Sequence, residues 1–300
     1  MEAYLFTIGS LMGISCITAL GLNVISGYAG QFHLGIAVYV GVGAYCTALL
    51  TKSASVPFLA SLPISTATAA LFAGATGLFA LRVREDALTV ITIAMSFVFE
   101  SLLINLPYFG GSIGIPGIPR PSFLASPGMF FLCVVVLTVL SVFVTRWLTL
   151  TWLGLAWRGI REDEEASQVI GISPGRSKVL AFVVGGGFAG LSGVLYAHMM
   201  HYVAPADFGF LPSIYVMAMV VFGGLGTILG PVLGAAFLTA MPEIFRFVQE
   251  YRNLIYGGLL VVMMLWQPGG LVGSNGLFAG IRRWAKRRIK SAEAAGGDRY

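Results

Sequence analysis

Nine apolar runs punctuate this chain, most of them close to the ~20 residues that carry an α-helix across a bilayer. They lie near 4–22, 35–51, 58–81, 87–106, 129–145, 178–200, 212–224, 229–245 and 253–268. In hydrocarbon every backbone N–H and C=O must be paired within the protein, so a spanning chain is either helical or a closed barrel. Barrel strands alternate polar and apolar residues over ~10 positions, and these runs do not. Composition separates lipid from a soluble core: 57% of the 300 residues are hydrophobic and 10% charged, against roughly a quarter charged in soluble domains. The expected fold is an all-α integral membrane protein, a polytopic bundle of about 8–10 transmembrane helices. One membrane domain is expected over 1–280, followed by a basic tail over 281–300. Between 212 and 245 the sequence GGLGTILGP interrupts the apolar stretch, as a tight turn or a re-entrant break.

The net charge of +5 does not point to nucleic acid, because the basic residues fall between the runs and at the C-terminus, where they set orientation. If the loops at 82–86, 146–177 and 269–300 share the cytoplasmic side, that side holds fourteen Lys and Arg, counting Lys178 at the edge of the second loop. Only Lys52, Arg120, Arg246 and Arg252 remain outside. The N-terminus is then outside and the C-terminus cytoplasmic. The segment IRRWAKRRIK from Ile281 rests on the anionic inner leaflet or stands in solvent. The N-terminus, MEAYL, has no basic n-region, so the first run is expected to stay as a helix. Cys16, Cys46 and Cys133 each lie in an apolar run without metal-ligand spacing and read as small core residues.

Arg158–Lys178, running from within the loop 146–177 to its edge, is the only long charged segment inside the apolar chain. Glu162, Asp163, Glu164 and Glu165 are expected in the first turns of a helix over 160–170, at the positive end of its dipole. Gly171 closes that helix. Ala166, Val169 and Ile170 give it one small apolar face. So short a helix is not stable alone and needs a surface to pack on. Four acids suit an anionic leaflet poorly, which favours a protein partner over lipid. The loop 107–128, rich in Pro and Gly, is either part of an external rim or a plain connector.

Candidate pathway residues carry two readings each. Glu100, inside the fourth run, is costly at that depth unless paired or facing a cavity. It is a functional candidate or a structural ion pair. Asn23, Gly27, Gly30, Gln31 and His33, with Gly35, form one glycine-punctuated polar passage, and Gly223, Gly224 and Gly226, with Gly230, form another. Either lines a solute route or marks tight helix packing. The spacing G-x-x-G at 27 and 30 recurs at 223 and 226 and hints at an internal repeat. Glu243 and Arg246 are placed for a local pair. His198 and His201 lie one turn apart, but two ligands do not make a metal site. No residues are assigned as catalytic or metal-binding, because no nucleophile, base and orienting group recur at recognisable spacing.

The segment GIREDEEASQVIGISPGRSKVLAFVVGGGFAGLSGVLYA resembles the membrane permeases of branched-chain amino-acid ABC importers, particularly the LivM type, related to LivH. Three further stretches agree in order: LNVISGYAGQFHLGIAVYVGVGAY at 22–45, LRVREDALTVITIAMSFVFE at 81–100 and ADFGFLPSIYVMAMVVFGGLGTILGPVLGAAF at 206–237. The resemblance implies a permease of a bacterial inner membrane, embedded in membrane lipid. It would work with a second homologous permease subunit, two cytoplasmic ATPase subunits and a periplasmic or extracellular substrate-binding protein. Glu165, Ala166 and Gly171 match the E-A-(x)4-G core of the loop by which such permeases contact their ATPases, while Pro174 only loosely fits the rest of that pattern. Arg161, Glu162, Glu164, Val169 and Ile170 complete the expected ATPase-coupling set. The phosphate-cradling pattern G-x-x-x-x-G-K-[ST] does not occur, so no cofactor is expected in this chain, and ATP and Mg belong on partner subunits. The implied cargo is a branched-chain amino acid or a related small polar solute such as an amide or urea. The alternative is a proton-coupled secondary transporter using Glu100.

Overall fold

The computed structural model describes residues 2–83, 85–121, 124–244 and isolated positions between 254 and 272. Helices dominate. α1 (Glu2–Leu22) runs into a wider π-turn (Asn23–Tyr28), followed by α2 (Ile36–Lys52), α3 (Phe58–Ala80), α4 (Glu85–Asn105) and α5 (Pro127–Leu150). Two short helices, α6 (Trp152–Glu162) and α7 (Glu164–Val169), precede α8 (Pro174–Met200), α9 (Phe210–Gly223) and α10 (Leu229–Ile244). Among the described residues six helical stretches are long and apolar enough to cross a membrane, and α2 and α10 are shorter apolar helices. Eight of the nine expected runs are therefore helices, and the ninth, 253–268, falls largely outside the described residues.

α8 is the centre of the bundle, and its small residues explain why. Gly186 faces Ala73 of α3, and Gly193 lies against the Val40 carbonyl of α2, so close that neither position has room for a β-carbon. Close approach of this kind gives helices large dispersion contact where lipid supplies no hydrophobic driving force. The long apolar sides of α3, α4 and α5 face outward: Leu71, Phe97 and Phe143 are all more than half exposed.

The two ends of the bundle differ. At one end a short antiparallel pair joins β1 (Ile115–Pro116) to β2 (Tyr202–Val203). Lys52 Nζ donates to the Pro116 carbonyl at 2.7 Å, and Arg120 donates to the carbonyls of His198 and Met199 at 3.2 and 3.1 Å. The loop 107–128 is therefore a strap across this end, more than a plain connector. A β-carbon at Gly128 would lie 3.7 Å from the Phe6 ring, which puts the start of α1 here too. The opposite end carries α6, α7, the connection 29–35 and the turn 224–228, and Gly175 approaches Leu81 there. Lys52 and Arg120 thus lie at the first end and Arg158, Arg161, Arg176 and Lys178 at the second, the partition expected from the loops. Arg246, Arg252, the expected Glu243–Arg246 pair and the tail 281–300 lie outside the described side chains.

One expectation is corrected. The loop helix over 160–170 is two helices, broken at Asp163. This residue is extended (φ −158°, ψ 111°), and its carboxylate accepts the Ala166 N–H at 2.9 Å as the N-cap of α7. Glu162 ends α6, so only Glu164 and Glu165 occupy the first turn of α7. Aspartate competes for backbone donors better than it sustains a helix interior, which is why the chain breaks there.

Candidate functional site

The site lies where α6 meets the ends of α1 and α9. The π-turn at 23–28 leaves the α1 backbone without regular donors at its end, and the Arg161 guanidinium donates to the Gly27 carbonyl. One turn earlier on the same face of α6, Arg158 stands 5.7 Å over the Tyr28 ring, as an i, i+3 pair on a helix can. Trp157, fully buried, donates its indole N–H to the Ser177 carbonyl at 2.8 Å and seats α6 on the start of α8.

Asn23 closes the junction from inside. Its amide nitrogen donates to the Thr227 carbonyl at 2.7 Å and its oxygen accepts the Gly226 N–H at 2.9 Å. Asn23 is completely buried, so these two bonds satisfy groups that would otherwise be orphaned. Gly30 and Gly226 both have φ of +74°, a conformation that L residues adopt at a penalty. A β-carbon at Gly226 would come 2.6 Å from Arg161 Nη1, and one at Gly30 would come 3.0 Å from Arg161 Cγ. The two glycine passages are therefore helix-end turns packed on each other beneath one arginine. Gly223 of α9 and Gly230 of α10 also press on each other, with no room for a β-carbon at either. The second glycine of each G-x-x-G has the same left-handed conformation, which gives the suspected repeat a structural counterpart.

The other expected residues divide. Gly223 and Gly224 continue the second turn: Leu271 and Val272 donate their N–H groups to the Phe222 and Gly223 carbonyls at 3.0 Å each. Gln31 is buried, and its carbonyl accepts from the Ser26 hydroxyl at 2.9 Å. His33 is completely buried, stacked on Tyr39 at 5.1 Å and edge-on to Phe182 at 5.5 Å. Burial pushes its pKa down to about 3, so the ring is neutral. Glu100 stands apart from the junction. A β-carbon at Gly209, just ahead of α9, would come 2.5 Å from its carboxylate, which places Glu100 at the favourable positive end of that helix.

On the outward side of the junction α7 presents Val169 and Ile170, 87% and 75% exposed. Glu165 and Ala166 are exposed beside them. Gly171, at φ +87°, turns the chain away, with nothing within 4 Å of where a side chain would start. Behind α7, Glu164 pairs with Lys178 of α8 at 2.8 Å. Thr227 and Lys178 complete the arrangement without having been site candidates, and Asp163, expected within the first turns, is the N-cap of α7. An Asp three residues before the acceptor-seeking Ala166 N–H was a readable capping signal. Besides its carbonyl, Thr227 uses its hydroxyl, which donates to the Gly224 carbonyl at 2.8 Å and accepts the Gly230 N–H at 3.1 Å. His198 and His201 serve separate backbone carbonyls, those of Val194 and Ile118. Among the described residues no group of three His, Cys, Asp or Glu is placed to hold a metal.

The geometry connects one exposed apolar helix face, through Arg161, to two breaks in the spanning helices. A family model described as branched-chain amino acid transport system, permease component, matches residues 4–264. The high-affinity branched-chain amino acid transport system permease protein LivM of Escherichia coli K12 is 36% identical over 293 residues, covering 88% of this chain and 69% of that protein. BraD of Pseudomonas aeruginosa, similarly named, is 30% identical over 142 residues, 46% of each chain. LivH of Salmonella typhimurium is 28% identical over 118 residues, covering 39% of this chain and 38% of that protein. No solved structure matches.

Proposed function

The chain belongs to the branched-chain amino-acid transport permease family, and from that premise we propose that it is the translocating subunit of an ATP-driven importer in a bacterial inner membrane. Its cargo is a branched-chain amino acid or a closely related small solute, moved without covalent chemistry. It pairs with a second, homologous permease, receives solute from a binding protein outside and meets ATPase subunits inside. The end bearing α6 and α7 is cytoplasmic, and the strapped end, with the start of α1, faces out. The observation that carries this reading is the α7 face: Val169 and Ile170 stand open at the bundle's end while Arg161, just behind them, holds the Gly27 carbonyl.

In this mechanism α7 is gripped differently by ATP-bound and ATP-free partners. That differential contact is what allows a partner to bias a conformational equilibrium. Arg161 then carries the bias to the turns at Gly27 and Gly226, where few backbone bonds need to change for the ends of α1 and α9 to move. Asn23 keeps the two turns moving as one unit.

Reconstitution in proteoliposomes tests it. Uptake of labelled leucine should require the ATPase subunits and ATP, and persist when the proton gradient is collapsed. Uptake without ATPases that disappears with the gradient would instead support proton coupling. Cysteines introduced by Ala166→Cys or Val169→Cys should crosslink to an ATPase subunit in the purified complex.

A further inference from the structure

At the other end of α9 from the junction, a half-enclosed cavity of about 410 Å³ opens between α1, α2, α8, α9 and α10. Ile14, Val216 and Met219 give it aliphatic walls, and Asp207, Tyr196 and Thr239 supply polar atoms. Pockets for small molecules run from about 300 to 1,000 Å³, so this one suits a compact ligand. It is separate from the glycine junction and shares no residue with it.

Asp207 closes the short 3₁₀ turn Pro205–Phe208, and its Oδ2 accepts the Ala204 N–H at 3.3 Å. A neutral asparagine or serine would cap that turn as well, so the fold does not account for the charge. The Tyr196 phenol lines the same cavity. No lysine, arginine or histidine lines the cavity, and among the described residues Asp207 makes no ion pair. Asp207 is half-buried where the cavity reaches the strapped end, and a carboxylate on an otherwise aliphatic wall favours a cation or water beside it. In the lining of the same cavity the Thr239 hydroxyl is buried with no hydrogen-bond partner among the described residues, a second polar atom awaiting one.

We infer that this cavity is a transient binding site for a primary ammonium carrying a short branched aliphatic chain. Asp207 receives the ammonium, and Ile14, Val216 and Met219 surround the hydrocarbon. This rests on the reading of the chain as an amino-acid permease, and it assigns to Asp207 the selection of the amino end of the cargo. Ethanolamine lipid offers the same ammonium chemistry, without the branched chain.

The test uses the assembled transporter, with Cys16, Cys46 and Cys133 replaced by alanine and Val216→Cys introduced, in phosphatidylcholine nanodiscs free of ethanolamine lipid. The rate of labelling by a small thiol reagent is read with competitors present. Leucine and isopentylamine should slow labelling about tenfold, as loss of a charged hydrogen bond is worth in binding, and isovalerate should not. Asp207→Asn, which keeps the acceptor for the Ala204 N–H, should abolish the protection. Met219→Trp, which fills the chamber without touching Asp207, should abolish it too. Protection restored by adding phosphatidylethanolamine alone would assign the site to lipid and overturn the proposal. So would protection by isovalerate equal to that by isopentylamine, protection unchanged in Asp207→Asn, or a cysteine that never labels. Failure of the unmodified transporter to take up leucine would count against the proposed function instead, since isopentylamine protection is read without transport.

Discussion

The strapped end and the junction end of this bundle solve the same problem in opposite ways. Both must terminate helices without leaving backbone groups unpaired. The strapped end does so by crossing segments over one another: β1 pairs with β2, and Lys52 and Arg120 bond carbonyls far from them in sequence. The junction end uses side chains of two residues, Asn23 and Arg161, to hold two left-handed turns together, and leaves the apolar face of α7 open. One end is closed within the chain, and the other is finished only by a partner. Changes at the junction should therefore alter coupling, whereas changes at the strap should alter stability alone.

The largest effect is expected at α7. Val169→Asp places a charge on a side chain that is 87% exposed, so the isolated chain should melt unchanged, within about 0.5 kcal/mol. ATP-driven uptake and ATPase stimulation in the complex should fall tenfold or more, as for an apolar anchor lost from an interface. An unchanged uptake rate would break the contrast, because the open face would then have no partner.

Next comes Asn23→Ala. Removing this side chain leaves the Gly226 N–H and the Thr227 carbonyl without the bonds they make to it, each at about 1–3 kcal/mol when buried. The net loss should be about 2–4 kcal/mol, visible as a lower melting midpoint in detergent, with coupling also impaired. Asn23→Asp keeps the acceptor for Gly226 and loses the donor to Thr227, so it should lie between the two. Gly226→Ala is smaller, at roughly 1–2 kcal/mol for the left-handed backbone, together with the approach to Arg161 Nη1 at 2.6 Å. In the double variant with Arg161→Ala the combined loss should be less than the sum, since the two changes share one contact. Strict additivity would separate Arg161 from the turn.

Much of this was readable beforehand, for physical reasons. Apolar runs of spanning length have no soluble alternative, so eight helices followed from hydropathy. The exposed Val169 and Ile170 followed from helical spacing beside a charged segment. Glycine passages were visible as composition, but whether they lined a route or packed helices depended on φ and on what lay across from them. What lies across from them is Asn23 at Gly226 and Thr227 and, 134 residues away in sequence, Arg161 at Gly27. Four consecutive acids all suit a first turn, and only the extended backbone at Asp163 distinguishes the cap from the rest. Glu100 stood out as a charge in an apolar run. Its place beside Gly209 could not be found, because Gly209 precedes a helix whose start the hydropathy pattern put at 212 rather than Phe210.

The smallest predicted effect tests the strapped end. The Arg120 guanidinium bonds the last carbonyls of α8 and lies 4.5 Å over the Phe130 ring, and burial lowers its pKa from the usual arginine value without discharging it. Cations at a helix C-terminus are worth about 0.3–1 kcal/mol, and a cation–π contact at a partly exposed site adds a similar amount. Arg120→Ala should therefore cost about 1 kcal/mol in melting experiments. Transport per ATP hydrolysed should stay the same, because the strap makes no contact with Arg161, Asn23 or α7. If that ratio fell while stability held, the strap would be part of the coupling path, and the division between a closed end and an open one would have to be given up.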